Sequence, residues 1–421
     1  MTGTTMWLNQ LLQNRNTIRL SVLTAFFSTI NVCDQAIAEV QAITITSPIP
    51  GQVVQRIGFD PQNTANSEPG ASAFGHARIE VQGTLPAEMP ADTALQYRVV
   101  PKDGGQGRQT DWTPITSAAL NLQDRAFHFS VIVPAGGWYR LELTTTEDSA
   151  GPRAFGAVER FGVGEVFVIA GQSYATNTNE ERLRISDPQE RISALNVANS
   201  TWAAAHDPQP TPDGSDGGSI WPALGHSLLK EFQVPIGFAN VAVGGTSSQQ
   251  WMPDGTLHPR LQQAGKSLGR FRAVLWQQGE SDVIAKTSVE TYISNLQTIR
   301  QSAVQSWGFE PVWLLAKSTH HPTVYDDPEG EGRIRQATEQ LWTMPGFGVG
   351  PDTDTLTGEN RGDQHSRRHF SAIGQRRAAA MWHDVLDCRL NATPTVRGER
   401  GVDLRWDKLP GCQVFQKNTE F

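Results

Sequence analysis

Gly164-Glu-Val-Phe-Val-Ile-Ala-Gly-Gln-Ser173 is the stretch whose reading decides the fold. Val166 to Ala170 is a continuous apolar run without alternation, the pattern of a strand buried on both faces of a parallel sheet. The run stops at Gly171, and Ser173 follows two residues later. A strand closed by a glycine turn is how α/β enzymes present a nucleophilic hydroxyl at the carboxyl edge of the sheet. A serine in that place also serves as a plain helix cap. The stretch alone leaves both readings open, so the flanking chain has to decide.

Downstream of residue 161 the chain alternates buried runs with amphipathic segments. The runs are Ile236–Val243, Ala273–Trp276 and Val312–Ala316, and the helical spacings fall over about 220–232, 289–306, 333–343 and 371–386. This alternation predicts a three-layer α/β/α domain with a mainly parallel sheet over 161–387. Residues 174–219 show no clear periodicity and read as functional loops. Upstream, residues 39–160 carry short alternating runs between Gly, Pro and Asp turns, such as Ala77–Val81 and Phe127–Val133. They predict a small antiparallel β-sandwich acting as an accessory domain. Residues 388–421 form a tail of undefined structure.

A chain of 421 residues suits two domains, and 38% hydrophobic with 19% charged residues suits a sizeable core. The net charge of −8, without any basic run, gives no footprint for nucleic acid or for an anionic membrane. Arg15 and Arg19 precede a mostly apolar stretch, Leu20–Val32, and Ala36-Ile-Ala38 is a small-x-small site. Residues 1–38 therefore read as a secretion signal, which implies a secreted or periplasmic protein. No run is long enough to span a bilayer in the mature chain. Cys388 and Cys412 remain as an even pair, open either to a bond across the tail or to two free thiols.

Each buried run ends in residues of a useful type. The first leads to Ser173, the second to Gly244-Gly-Thr-Ser-Ser248, the third to Gln277-Gln-Gly-Glu-Ser-Asp282, and the fourth to Lys317-Ser-Thr-His-His321. A serine, a glycine pair that exposes backbone N–H groups and a side-chain amide are the parts of an acyl-transfer site. His369, just before the last helix, supplies an imidazole base.

At these positions the chain resembles the SGNH/GDSL hydrolase superfamily, and within it the branch of sialate O-acetylesterases and acetylxylan esterases. Gly171-Gln-Ser173, Asn240–Thr246 with Trp251 behind it, Trp276-Gln-Gln-Gly-Glu-Ser-Asp282 and His369-Phe-Ser371 with Gly374 resemble that branch's four blocks, in order. The resemblance covers about 161–387. It implies a carbohydrate esterase that removes O-acetyl groups from sugars through a serine acyl-enzyme, without metal or cofactor. Carried over by position, Ser173 is the nucleophile and His369 the base. The N–H groups of Ser173 and Gly245 and the side chain of Gln278 form the oxyanion hole, with Gly244 the neighbouring choice. The branch has Asp three residues before its histidine, where this chain has Ser366. Asp363 is the favoured orienting acid and Glu280 the alternative, while Asp363-x-His365 offers His365 as another base. Trp221, Trp251, His320 and His321 are candidate substrate contacts. The displaced acid keeps a decayed glycan-binding module in play, and O-acetyl transfer would use the same residues. The sugar, of sialic acid or of plant or algal polysaccharide type, is not legible.

Overall fold

The computed structural model describes residues 41–61, 72–87, 89–90, 93–102, 107–121, 123–146, 153–362 and 368–391. All of them fall within one compact unit, 39–421. The secretion segment expected at 1–38, Asp363, His365 and Cys412 lie outside the described residues. Cys388 is disulfide-bonded, so the reading of two free thiols does not hold; the pairing expected with Cys412 is outside the described residues.

The first part of the unit is an antiparallel β-sandwich, as its alternating runs predict. His76–Thr84 pairs with Thr44–Ser47 on one side and Ala126–Pro134 on the other. Leu95–Pro101 pairs with Gly137–Thr145 in the facing sheet. Along His76–Thr84 the buried and exposed positions alternate strictly. Ile79 and Val81 point into a core shared with Val99, Leu141 and Val158, while Arg78 and Glu80 face water.

The stretch that opens the sequence belongs to strand β1, Ala154–Gly171, which is 18 residues long. Its first half pairs with Gly137–Thr145, and its second half enters a parallel sheet. The domain boundary expected at 160–161 therefore falls inside one strand, and one continuous apolar core runs from the sandwich to the helices. The remaining sheet strands are β2 (Ile192–Asn196), β3 (Thr201–Ala204), β4 (Ile236–Asn240), β5 (Ala273–Gln277), β6 (Val312–Lys317) and β7 (Phe347–Asp352). They lie in the order β3-β2-β4-β1-β5-β6-β7, parallel except for β3.

Five long helices complete the three layers: α1 (Trp221–Phe232), α2 (His258–Leu268), α3 (Val289–Trp307), α4 (Pro328–Trp342) and α5 (Ala372–Leu390). Phe167 and Ile169 of β1 pack toward α1 and α5, while Val166, Val168 and Ala170 pack toward α2, α3 and α4. That division explains the unbroken apolar run, because both faces of the strand meet helices. The expected start of α4 at 333 moves back to Pro328, which the first turn of a helix tolerates. Asp327 caps it there by accepting the Gly330 N–H at 2.9 Å.

The point at which β1 enters the parallel sheet, Glu165, is tied by a buried ion cluster. Glu165 accepts Arg56 Nε at 2.7 Å and Arg272 Nε at 2.7 Å, and Gln55 Nε2 at 3.0 Å. Glu165 and Arg56 are both fully buried. Burial pushes the Glu165 carboxyl up, but the two guanidinium groups outweigh it and hold the group down at about 2.

Candidate active site

The top of β1 closes in a turn that only glycine permits. Gly171 has φ +133°, and a Cβ there would stand 2.1 Å from the Gln277 carbonyl oxygen. Gln172 N–H donates to that same carbonyl at 3.0 Å, which anchors the turn to β5. Ser173 opens a single 3₁₀ turn, Ser173–Ala175. Its carbonyl accepts Thr176 N–H at 3.0 Å, Thr176 Oγ1 at 3.0 Å and Thr178 Oγ1 at 2.5 Å. The Ala175 carbonyl, at the other end of the turn, accepts Trp221 Nε1 and Asn240 Nδ2, each at 2.8 Å. Ser173 is thus fixed by its backbone, and its side chain lies at the carboxyl edge of the sheet.

The glycine block lies beside it. A methyl group on Gly244 would come 3.7 Å from Ser173 Cβ and 3.4 Å from Asp213 Oδ2. Gly244 N–H donates to that Asp213 oxygen at 3.0 Å. Gly245 is in the left-handed region at φ +70°, with open space where a Cβ would project. Among the described residues, the N–H groups of Ser173 and Gly245 donate no hydrogen bond within the protein. Burial works against the charge on Asp213, but hydrogen bonds from Ser215, Gly244 and Thr211 hold its carboxyl below the usual range.

The third block is a bracket. Gln278 Nε2 donates to Asp282 Oδ2 at 2.6 Å, to the Thr246 carbonyl at 3.2 Å and to Gln172 Oε1 at 3.3 Å. Its oxygen accepts the Tyr292 hydroxyl at 2.9 Å. Gln278 therefore reaches the site, but its amide protons are spent within the protein. Asp282 extends the bracket by accepting Ser248 N–H at 2.7 Å and Ser248 Oγ at 2.8 Å. The glycine loop, the Ser173 turn and the start of the Glu280–Ile284 turn are held together in this way.

Glu280 is fully buried and accepts Ser318 Oγ at 2.7 Å and Gly279 N–H at 3.1 Å. Its hydrogen bonds among the described residues thus run to the loop after β6 and to its own turn. Burial, with Asp354 nearby, pushes its carboxyl up to about 8 against the pull of the Ser318 hydrogen bond.

His369 arrives on a short strand, His369–Phe370, paired with Arg361–Gly362. Phe370 N–H donates to Asn179 Oδ1 at 3.1 Å, and Glu180 N–H to the Phe370 carbonyl at 3.1 Å. The loop that follows Ser173 therefore holds the histidine block. The His369 ring packs on Tyr174 at 5.3 Å between centroids and on His321 at 5.7 Å. Asp363 sits between the two short paired strands in sequence, among residues 363–367, which are not described.

The remaining candidates separate. His321 lies at the site, largely buried, and its imidazole is pushed down to about 3 by burial and by the charges of His369, Arg368 and Arg361. His320 is half-buried and faces Glu331, with Nδ1 3.4 Å from Oε1. Trp221 and Trp251 are completely buried. Neither surface needed to touch a substrate is left to them. Trp221 holds the Ser173–Ala175 turn from beneath, and Trp251 packs on Trp276 at 5.5 Å and donates to Thr246 Oγ1 at 3.2 Å. The residues that pattern reading missed are Tyr174 and Asp213, whereas Asp352-Thr-Asp354 reads from sequence as a loop and cap device with a substrate role also open. Asp354 accepts Thr319 N–H at 2.7 Å and His320 N–H at 2.8 Å, and so sets the loop carrying both histidines. Among the described residues, no group of three His, Cys, Asp or Glu side chains gathers to hold a metal, and no helix is long and apolar enough to cross a membrane.

The three-layer α/β/α fold thus carries a serine, a glycine pair and a histidine block at the carboxyl edge of its mainly parallel sheet. Residues 163–384 match the family described as carbohydrate esterase, sialic acid-specific acetylesterase, and the chain belongs to that family. A probable carbohydrate esterase of Arabidopsis thaliana is 35% identical over 68 residues, which is 15% of this chain and 26% of that relative. The matched part thus spans about a quarter of the curated relative. A carbohydrate acetylesterase from Xanthomonas citri is similar in structure at a TM-score of 0.48, with 16% identity, over 80% of this chain and 72% of that one. A protein from Arabidopsis thaliana gives a TM-score of 0.45 at 17% identity, over 54% of this chain and 98% of its own.

Proposed function

We propose that this protein hydrolyses O-acetyl esters on carbohydrates through a serine acyl-enzyme. The observation that carries the reading is the convergence at one sheet edge of an immobilised Ser173, the unspent N–H groups of Ser173 and Gly245, and the His369 block. In this scheme His369 takes the Ser173 hydroxyl proton as Oγ attacks the acetyl carbonyl. The developing oxyanion is met by the N–H groups of Ser173 and Gly245. Collapse breaks the bond to the sugar oxygen, which leaves with the proton from His369. Water, deprotonated by the same imidazole, then releases acetate and restores Ser173. Asp363 is our proposed orienting carboxylate for His369. Gln278 frames the oxyanion site without donating into it. His321, beside His369, faces the sugar. The chemistry of the family points to sialic acid or acetylated polysaccharide as the sugar, and the segment 1–38 to a secreted or periplasmic setting.

The test is acetate release from a panel of acetylated sugars by wild type and Ser173→Ala. Wild type is expected to release acetate, and the variant to lose at least 10³-fold in kcat, about the scale on which nucleophile loss is felt. Equal release by both, or release by neither while the protein binds the glycan, overturns the reading. Adding a sugar acceptor and analysing the products separates hydrolysis from transfer.

A further inference from the structure

We propose that Tyr174 is a positioning residue that sets the catalytic histidine against the nucleophile, and this rests on reading Ser173 and His369 in those roles. The two residues lie far apart in the chain and on separate elements, so something must fix their relative position. Tyr174 follows Ser173 directly and shares its rigid turn. Its hydroxyl donates to the carbonyl of Arg368, the residue directly before His369. The same oxygen lies 3.2 Å from the His320 carbonyl and 3.4 Å from His321 Nδ1. One hydroxyl thereby joins three segments: the nucleophile turn, the loop after β6 and the histidine block.

The ring adds to this. It packs edge-on to His369 at 5.3 Å and to His321 at 5.7 Å, and tilts against Phe370 at 4.8 Å. The Arg361 guanidinium stands 4.7 Å over its centre and also reaches the Arg368 carbonyl, Nη1 to O 3.4 Å. Burial raises the phenol well above its ordinary value, so the hydroxyl remains a donor across the working range of an esterase. Asn179 and Glu180 hold Phe370 on the far side of His369. The imidazole is thus clamped through the residue on either side of it, and Tyr174 is the part of the clamp in direct continuity with Ser173. Small displacements at such a pair cost large factors in rate.

A structural role alone would lower activity whether or not His369 is present, whereas a positioning role acts only through His369. The experiment is a double-mutant cycle on an acetyl ester, with Ser173→Ala as the reference for the reading on which it rests. Tyr174→Phe keeps the ring and removes the hydroxyl. It is expected to lower kcat at least 10-fold while KM stays within 2-fold. In a His369→Ala background the same change is expected to alter the residual rate by less than 2-fold. Equal losses in both backgrounds, or no loss beside an intact His369, overturn the proposal while the acyl-enzyme reading stands. Full activity of Ser173→Ala overturns both. Should Tyr174→Phe fail to fold, Arg361→Lys, which loosens the same Arg368 carbonyl, goes through the same cycle with the same deciding outcomes.

Discussion

Asp213 Oδ2 accepts the backbone N–H of Gly244 at 3.0 Å. The bond removes Gly244 from the donors open to a ligand and leaves its neighbour Gly245, one residue on, as the glycine whose N–H is unspent. Sequence could not separate the two, because either glycine fits the block. The carboxylate that separates them comes from 174–219, a stretch without periodic signal.

The two glycines should therefore respond differently to a methyl group. At Gly245 the backbone is left-handed, φ +70°, with open space around the missing Cβ. Gly245→Ala should cost about 1–2 kcal/mol in conformation. It should lower kcat by about 10²-fold as the N–H swings from the oxyanion, the scale set by losing one such donor. At Gly244 the φ is ordinary, and the new methyl would sit between Ser173 and Asp213. Gly244→Ala should leave the thermal midpoint nearly unchanged and raise KM by obstruction. Steady-state kinetics with thermal unfolding on both variants decides. A kcat loss at Gly244 with none at Gly245 would assign the oxyanion donor to the wrong residue.

Glu280 makes stability depend on pH in a predictable direction. Its folded pKa of about 8 exceeds the ordinary value of 4.5, so the folded state holds the proton over a window where the unfolded state has lost it. The contribution is fully present below about pH 4.5. It is lost as pH rises toward 8, a cost on the order of 5 kcal/mol at 1.36 kcal/mol per unit. Glu280→Gln removes this titration. Urea unfolding at pH 5 and pH 8 should show the variant gaining on wild type at the higher pH. A constant difference between the two pH values would contradict a protonated Glu280.

Where β1 enters the parallel sheet the sign reverses. Glu165 is held down at about 2 by Arg272 and Arg56, so its contribution is present above the ordinary 4.5 and fades as pH falls through about 2. Glu165→Gln leaves two buried guanidinium groups uncompensated and should cost about 3–5 kcal/mol at pH 7. The gap from wild type should narrow as the buffer is taken from pH 5 to pH 3. Since the cluster sits about six residues, roughly 20 Å, before Gly171 along the strand, kcat of the folded variant should match wild type. An unchanged unfolding midpoint would remove the cluster from the account of stability.

Much of this was legible because burial writes itself into sequence. Val166–Ala170 is apolar throughout since helices cover both faces, and the four runs ahead of the site residues all became parallel strands. What escaped lacked that signature. Phe347–Asp352 contains two glycines and a proline, and no apolar run announces it. Ile192–Asn196 and Thr201–Ala204 are short, and polar residues break them. His258–Leu268 buries its face with few apolar residues, and so gave no clear helical stripe. Trp221 and Trp251 lie near the site in sequence but beneath it in space, because a motif fixes neighbourhood and not which side of the chain faces solvent. Tyr174 and Asp213 act through backbone partners at Arg368 and Gly244, and a backbone acceptor or donor leaves no mark on residue type.

The two imidazoles at the site bear on the pH–rate profile. His321 is pushed down to about 3 by burial first and then by the positive charges of His369, Arg368 and Arg361. Protonating it in the folded protein is therefore unfavourable at any pH where an esterase is assayed, and it stays a neutral ring beside His369. The acid limb of kcat/KM, which reports ionisations of the free enzyme, should then follow a single proton, with a limiting slope of about one on a logarithmic plot. His321→Gln should lower kcat/KM through lost packing on Tyr174 and His369, and the midpoint and slope of the limb should stay where they are. A slope near two in wild type that falls to one in the variant would show that both rings titrate together, and would remove the neutral His321 from the description of the site.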